Sequence, residues 1–182
     1  MTPPALAAYG AATRLLQPLA PALLRRRAAA GKEDPARLNE RLGRPTLPRP
    51  PGALAWLHGA SVGEGLSLLP LVERLRAERP DLTVLVTSVT LPSADLLARR
   101  LPPGVLHQFA PLDTPAAAAG FVAHWRPDLA VFAESELWPN LLGAAKARGA
   151  RLALVSARVS EASARGWARA PRSARALLTG FD

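Results

Sequence analysis

The sequence contains no cysteine, which excludes a disulfide framework and any thiolate nucleophile or thiolate metal ligand. That absence fits a reducing compartment. The three histidines, His58, His107 and His124, are scattered with no ligand spacing, so no metal site is expected and each reads as structural. Long apolar runs are missing as well. The candidate segment, Tyr9 to Arg27, has only ten residues between Arg14 and Arg25, with Gln17, Pro18 and Pro21 among them. A spanning helix needs about 20 apolar residues. The positive charge follows the apolar stretch instead of preceding it, which disfavours a cleaved signal peptide. Aromatic residues make up 5% of the chain, and residues 146–182 offer only Trp167 and Phe181 beside eight Lys/Arg. Nucleic-acid surfaces interleave more stacking groups than that, so no nucleic-acid partner is expected.

What is present is length, apolar content and unevenly placed charge. A chain of 182 residues with 49% hydrophobic content can bury one substantial core and lies in the single-domain range. The net charge of +9 divides into nine Lys/Arg against three acids in residues 1–50, six against nine in 51–145, and eight against two in 146–182. Basic ends suit a phosphate-dense partner, and anionic lipid is the better choice here. In the first segment Leu15, Leu16, Leu19, Leu23 and Leu24 recur at helical spacing ahead of Arg25, Arg26 and Arg27. This is the pattern of an interfacial anchor, and equally of a soluble packing helix with a solvated basic end. Residues 1–42 are read as an amphipathic membrane-associated arm, and residues 43–52 (GRPTLPRPPG), with four prolines, as a stiff linker.

Residues 53–182 alternate short apolar runs with helical patterns. Ala53 to His58, Leu82 to Thr87, Val105 to Ala110, Leu129 to Glu134 and Leu152 to Ser156 read as buried strands. Helices are expected at Leu66 to Glu78, Ser93 to Arg100, Pro115 to Trp125 and Asn140 to Arg148. Strands that are apolar throughout, each followed by a helix, predict an α/β, Rossmann-like, doubly wound parallel sheet. The tripeptide Arg-Pro-Asp introduces two strands, at 79–81 and 126–128, and reads as shared turn chemistry.

Ligands of an open parallel sheet gather beyond the carboxyl ends of its strands, where this chain is unusually polar. The loops are GASVGEG (59–65), SVTLP (88–92), PLDT (111–114), ESELWPN (134–140) and ARVSE (157–161). Their carboxylates supply bases with few fixed cations, which suits deprotonating a hydroxyl better than holding a nucleotide phosphate. In the first loop Ser61 and Gly63 precede Glu64 at a helix start. There the carboxylate is stabilised by the dipole, either to serve chemistry or merely to support the first turn. In the fourth, Glu134 and Glu136 at i and i+2 would share a face of a continuing strand, with Pro139 suited to the first helical turn.

The strings WLHGASVGE (56–64), TSVT (87–90), PLD (111–113), ESELWPN (134–140) and SARVSEASARG (156–166) occur in this order and together resemble the bacterial lipid A-specific 3-deoxy-D-manno-octulosonic acid (Kdo) transferases of glycosyltransferase family 30. The likeness runs from about Pro45 to Asp182. It implies the N-terminal, acceptor-binding domain of a two-domain GT-B enzyme that moves Kdo from CMP-Kdo to the lipid A precursor (lipid IVA) during lipopolysaccharide core biosynthesis, at the cytoplasmic face of the inner membrane. By the same likeness Glu64 is the general base, Glu134 stabilises the transition state, and the configuration inverts. Ser61, Gly63, Glu136 and Arg158 are candidate acceptor contacts, and no cofactor or metal is implied beyond the donor. Family members commonly carry HAVSVGE where this chain has Gly59 and Ala60, and a Thr-Pro-Thr-Gly turn in place of Thr90-Leu91-Pro92-Ser93. They are also about twice as long. A C-terminal domain holding most CMP-Kdo contacts, and the last strand and helix of this one, are therefore expected beyond Asp182; the 182 residues alone are expected to be inactive, with an open sheet edge that favours aggregation.

Two rival readings come from other classes. Gly59-Ala60-Ser61-Val62-Gly63 matches the G-x-S-x-G nucleophile elbow of serine hydrolases, with Asp113 and His124 following in the required order. The charged ends alone would suit a non-catalytic module that binds anionic lipid.

Overall fold

Each of the five apolar runs forms a strand. The computed structural model describes residues 2–182, and the strands are β1 (Leu54–His58), β2 (Thr83–Ser88), β3 (Leu106–Phe109), β4 (Leu129–Ala133) and β5 (Arg151–Val155). All pair in parallel in the order β3-β2-β1-β4-β5, the Rossmann-like α/β arrangement expected from the sequence. The chain steps outward from β1 to β3, then returns to place β4 against the other side of β1. That reversal makes the β1/β4 boundary the switch point of the sheet, where the loops leaving the two strands diverge and open a crevice.

Side chains alternate across the sheet, and the helices cover both faces. On one side Trp56, Phe121, Trp125, Phe132 and Leu141 form an aromatic-rich core beneath α6 (Pro115–Trp125) and α7 (Pro139–Ala147). On the other, Leu57, Leu68, Val72, Val86 and Leu97 pack under α4 (Val62–Glu78) and α5 (Leu91–Arg100). Alternation along β1 puts His58 on the Trp56 side.

The helices start earlier than apolar periodicity suggested. Ser61 caps α4 by accepting the Glu64 N–H, and Thr90 caps α5 by accepting that of Ser93. Satisfying an orphan amide lets each helix begin several residues before its first apolar stripe. The two Arg-Pro-Asp tripeptides, in contrast, are not the same turn. Arg126 takes a left-handed conformation at the end of α6 (φ 42°), whereas Arg79 is at φ −133°. Asp128 accepts the Leu54 N–H at 2.8 Å and so ties β1 to β4, while Asp81 pairs with its exposed neighbour Arg79.

The N-terminal segment forms α1 (Pro4–Leu16), a 3-10 turn (Gln17–Leu19), α2 (Ala20–Ala29), a second 3-10 turn (Pro35–Arg37) and α3 (Leu38–Arg41). Ala20 and Leu24 are buried, but Leu15, Leu16, Leu19 and Leu23 all face outward. The segment is fastened to the β3 edge: buried Glu40 takes the Phe109 N–H at 2.8 Å and pairs with Arg37, and Arg41 donates to the Ala110 carbonyl. Residues 43–52 run along α6. Arg49 donates to the Trp125 carbonyl at 2.7 Å, the Leu47 carbonyl lies 2.8 Å from His124 Nε2, and Gly43, at φ 73°, is pressed against the Ala117 backbone. After β5 come α8 (Glu161–Ala168) and α9 (Pro171–Leu178), and Asp182 closes on β5 by accepting the Leu152 N–H at 2.8 Å. Among the described residues no helix is long and apolar enough to cross a membrane.

Candidate active site

The β1–α4 loop carries Glu64 into the first turn of α4. Its carboxylate folds back on the loop, with Oε2 accepting the Ala60 N–H at 2.7 Å and Oε1 accepting the Ser61 hydroxyl at 2.8 Å. Ser61 Oγ in turn accepts the Glu64 N–H at 3.3 Å. This is a variant of the capping box in which the carboxylate reaches the Ala60 amide, one residue before the Ser61 N-cap, and it fixes the side chain's direction. An ionised carboxylate has about four acceptor sites, so each oxygen keeps capacity for a ligand hydroxyl. Gly59 matters here because a Cβ at that position would stand 3.0 Å from Glu64 Cβ. Ser61 and Gly63, with Arg27 and Lys32 from the end of α2 and its following turn, line an open cavity of about 600 Å³.

The 134–138 loop does not continue β4 as expected. The strand ends at Ala133, and Glu134 adopts a left-handed conformation (φ 52°), so Glu134 and Glu136 leave the strand in different directions. The reversal is held by backbone bonds to the neighbouring strand end: Glu134 N–H donates to the Val155 carbonyl at 2.9 Å, and the Arg158 N–H to the Glu134 carbonyl at 3.4 Å. Ser156, just past β5, is left-handed too (φ 51°). Non-glycine residues held at positive φ are uncommon and concentrate where the backbone must aim a functional group. The Arg158 guanidinium lies 3.9 Å from the Glu134 carboxylate and is largely exposed.

Glu136 turns inward. Its Oε2 accepts the Trp138 indole N–H at 2.6 Å and faces His58 Nε2 at 3.3 Å. Burial pushes this carboxyl up, but His58, by hydrogen bond and electrostatic attraction, and Trp138 together hold it below the usual carboxylate range. His58 is fully buried at the end of β1, its Nδ1 is 2.9 Å from Thr87 Oγ1 on β2, and the same Oγ1 accepts the Trp56 indole N–H at 2.8 Å. One polar chain thus crosses β2, β1 and the loop after β4. His58 and Thr87 carried no site assignment in the sequence; the available signal was that both lie at or next to the carboxyl ends of strands, inside the quoted strings.

Asp113 sits at the start of α7, accepting the backbone N–H groups of Asn140 and Leu141 and the Tyr9 hydroxyl at 2.9 Å. Burial raises its carboxyl above the ordinary value against those bonds, and the Tyr9 phenol is raised by its own burial and by Asp113. Tyr9 and Asn140, the latter bonded to Thr13 Oγ1 at 3.1 Å, latch α1 onto the body beside the site. This arrangement removes the hydrolase triad. The Ser61 hydroxyl donates to Glu64, Asp113 caps α7, and His124 contacts the Leu47 carbonyl. No group of three or more potential metal ligands occurs among the described residues.

The structure thus places Ser61 and Gly63, with Arg27 and Lys32, in one cavity beside Glu64, sets Glu136 against His58 at the end of β1, and leaves Glu134 facing Arg158 just past the ends of β4 and β5. Residues 36–182 match the family model described as 3-deoxy-D-manno-octulosonic-acid transferase (kdotransferase). This chain belongs to the Kdo transferase family. It is similar to the probable mitochondrial 3-deoxy-D-manno-octulosonic acid transferase of Arabidopsis thaliana, at 42% identity over 87% of this chain and 36% of that protein. It is likewise similar to the 3-deoxy-D-manno-octulosonic acid transferases of Bordetella pertussis (38% identity; 96% of this chain, 42% of that protein) and Haemophilus influenzae (34%; 70% and 30%). The chain thus spans less than half the length of these Kdo transferase relatives.

Proposed function

We propose that this chain is the acceptor-binding part of an enzyme that transfers Kdo from CMP-Kdo to lipid IVA in lipopolysaccharide core biosynthesis, at the cytoplasmic face of the bacterial inner membrane. The observation that supports the reading is that the loop after β4 closes on the end of β1, the strand from which the Ser61–Glu64 loop leaves, with His58 Nε2 facing Glu136 at 3.3 Å, in a chain of this family. In this reading Glu64 takes the proton of an acceptor hydroxyl as that oxygen bonds to the anomeric carbon of Kdo. The bond from that carbon to CMP breaks on the opposite side, CMP leaves with the electron pair, and the configuration inverts. Glu134 lies beneath the developing positive charge at the anomeric carbon, with Arg158 beside it. Donor contacts belong chiefly to a second domain of the GT-B type, and neither metal nor other cofactor takes part.

The outward leucines support delivery of a lipid-borne acceptor. Leu23 and Arg27 lie one turn apart on α2 and share a face, and Leu19 is exposed in the turn just before it, so the outward leucines lead toward Arg27, which lines the cavity beside Ser61. The test is Kdo transfer to lipid IVA by the full-length gene product beside its Glu64→Ala variant. Transfer that disappears with Glu64 supports both the activity and the base. Transfer that persists undiminished moves the base elsewhere, and a parent protein with no transfer overturns the activity.

A further inference from the structure

A second cavity, of about 400 Å³, lies between α1, the 134–138 loop, α8 and α9. Its lining combines three aromatic side chains, Tyr9, Trp138 and Trp167, with Glu136, Ser135 and Ser173. Mostly apolar walls with a few convergent polar groups are the composition of small-ligand sites. Only Glu136 Oε2 is used internally, since both its bonds, to Trp138 and His58, fall on that oxygen. No hydrogen bond among the described residues reaches Oε1. A part-buried carboxylate with one oxygen unmatched at a cavity wall is poised for a donor from a ligand.

A chain of bonds stands behind Glu136. The Trp56 indole can only donate, so Thr87 Oγ1 accepts from it. The same Oγ1 faces His58 Nδ1 at 2.9 Å. On the other side of the ring, His58 Nε2 faces Glu136 Oε2, a carboxylate oxygen that when ionised only accepts, so Nε2 directs a proton at it. Residues of β1 and β2 thereby hold one oxygen of the carboxylate, leaving Oε1 free of internal bonds among the described residues.

We propose that this cavity is a sugar-ring subsite, in which Glu136 Oε1 accepts a ring hydroxyl, the aromatic side chains receive the ring's apolar face, and His58 is the positioning residue that aims the carboxylate. The proposal rests on the transferase reading and names the part of the acceptor, a headgroup sugar, that this wall takes. Its alternative is a purely structural role in which Glu136 only ties the loop to β1.

The experiment uses the full-length gene product with two readouts. One is binding of deacylated lipid IVA, followed by quenching of tryptophan fluorescence; the other is the KM for lipid IVA in Kdo transfer. Glu136→Gln keeps the shape but removes the charge, and weakens binding and raises KM about tenfold with kcat nearly unchanged, the size expected for one charge-assisted hydrogen bond. Thr87→Val keeps the volume while removing the hydroxyl that holds the His58 ring through Nδ1; it raises KM in the same direction and moves the acid limb of kcat/KM to higher pH, and Thr87→Ser restores both. Unchanged binding and KM in folded Glu136→Gln and Thr87→Val proteins overturn the subsite. A fall in apparent kcat that only tracks the folded fraction by circular dichroism, with KM unchanged, also overturns it, in favour of the structural role. A parent that binds the deacylated sugar through Glu136 but transfers no Kdo keeps the subsite and sinks the transferase reading, so the two failures are distinguishable.

Discussion

Glu64 helps to cap α4, and the general-base role proposed for it makes a separable demand. Its two carboxylate oxygens close a capping box with Ala60 and Ser61, and glutamine serves in such a box nearly as well as glutamate because an amide oxygen can still reach back to the backbone N–H. Proton abstraction, however, needs the carboxylate. In the full-length gene product Glu64→Gln is therefore expected to leave the thermal midpoint close to the parent while lowering Kdo transfer by about 10²–10⁴-fold. Glu64→Ala is expected to lose the same activity and, in addition, about 1 kcal/mol of stability. Melting curves and initial rates measured on the same preparations decide the point: a glutamine variant that retains transfer leaves Glu64 as a cap alone.

At the scale of elements, the junction between α3 and the proline-rich segment is the most constrained contact in the fold. Gly43 is left-handed at φ 73°, and a Cβ there would run into the Ala117 carbonyl, while a Cβ on Gly120 would meet the Gly43 carbonyl at 2.6 Å. Gly43→Ala combines an unfavourable φ with a backbone clash, and a loss of about 2–4 kcal/mol in urea unfolding is expected. The β3 edge adds a pH dependence. Burial first, and the Arg37 charge second, lower His107 from 6.5 to about 4, so the folded state keeps it neutral where the unfolded chain would take a proton. Its contribution is complete above pH 6.5 and is lost as pH falls through about 4. The thermal midpoint should drop across that window, and His107→Gln should flatten the drop. Much of this architecture could be read from the chain, because apolar runs locate strands and Thr114-Pro115 marks a helix start without tertiary help. The strands fell within a residue or two of expectation, whereas α4 and α5 began earlier although Ser61-x-x-Glu64 is itself a helix-start signal. What could not be read is pairing at long range: Glu40 with the Phe109 amide is 69 residues apart, and His58 with Glu136 is 78. Neither partner's local sequence encodes the other. The left-handed Glu134 was hidden for a related reason, since it depends on bonds to β5 and Arg158 that exist only once the sheet is assembled.

On the whole-molecule scale, charge and exposed apolar surface combine at one end of the chain. The segment 1–50 carries nine Lys/Arg against three acids, and within it Leu15, Leu16, Leu19 and Leu23 are among the most exposed large apolar side chains of the protein. Four outward leucines are costly for a face that meets only water, since burying each would contribute about 1.5–3 kcal/mol. Because Ala20 and Leu24 already face the body, the outward set is a second stripe, flanked by Arg14, Arg25 and Arg26. A lipid surface satisfies both halves of that pattern: acyl chains take the leucines, and anionic headgroups attract the arginines at about 1 kcal/mol each. The two contributions respond differently to salt, because only the charge term is screened. In co-sedimentation with phosphatidylglycerol vesicles, the protein should bind at low salt and keep a reduced, non-zero affinity at high salt. L15S/L19S/L23S should abolish the salt-resistant part, and R25Q/R26Q the salt-sensitive part. Equal binding to neutral phosphatidylcholine vesicles would show that charge contributes nothing, and a triple serine variant that binds like the parent would return the leucine face to the status of bare surface, leaving the acceptor to reach Glu64 by another route.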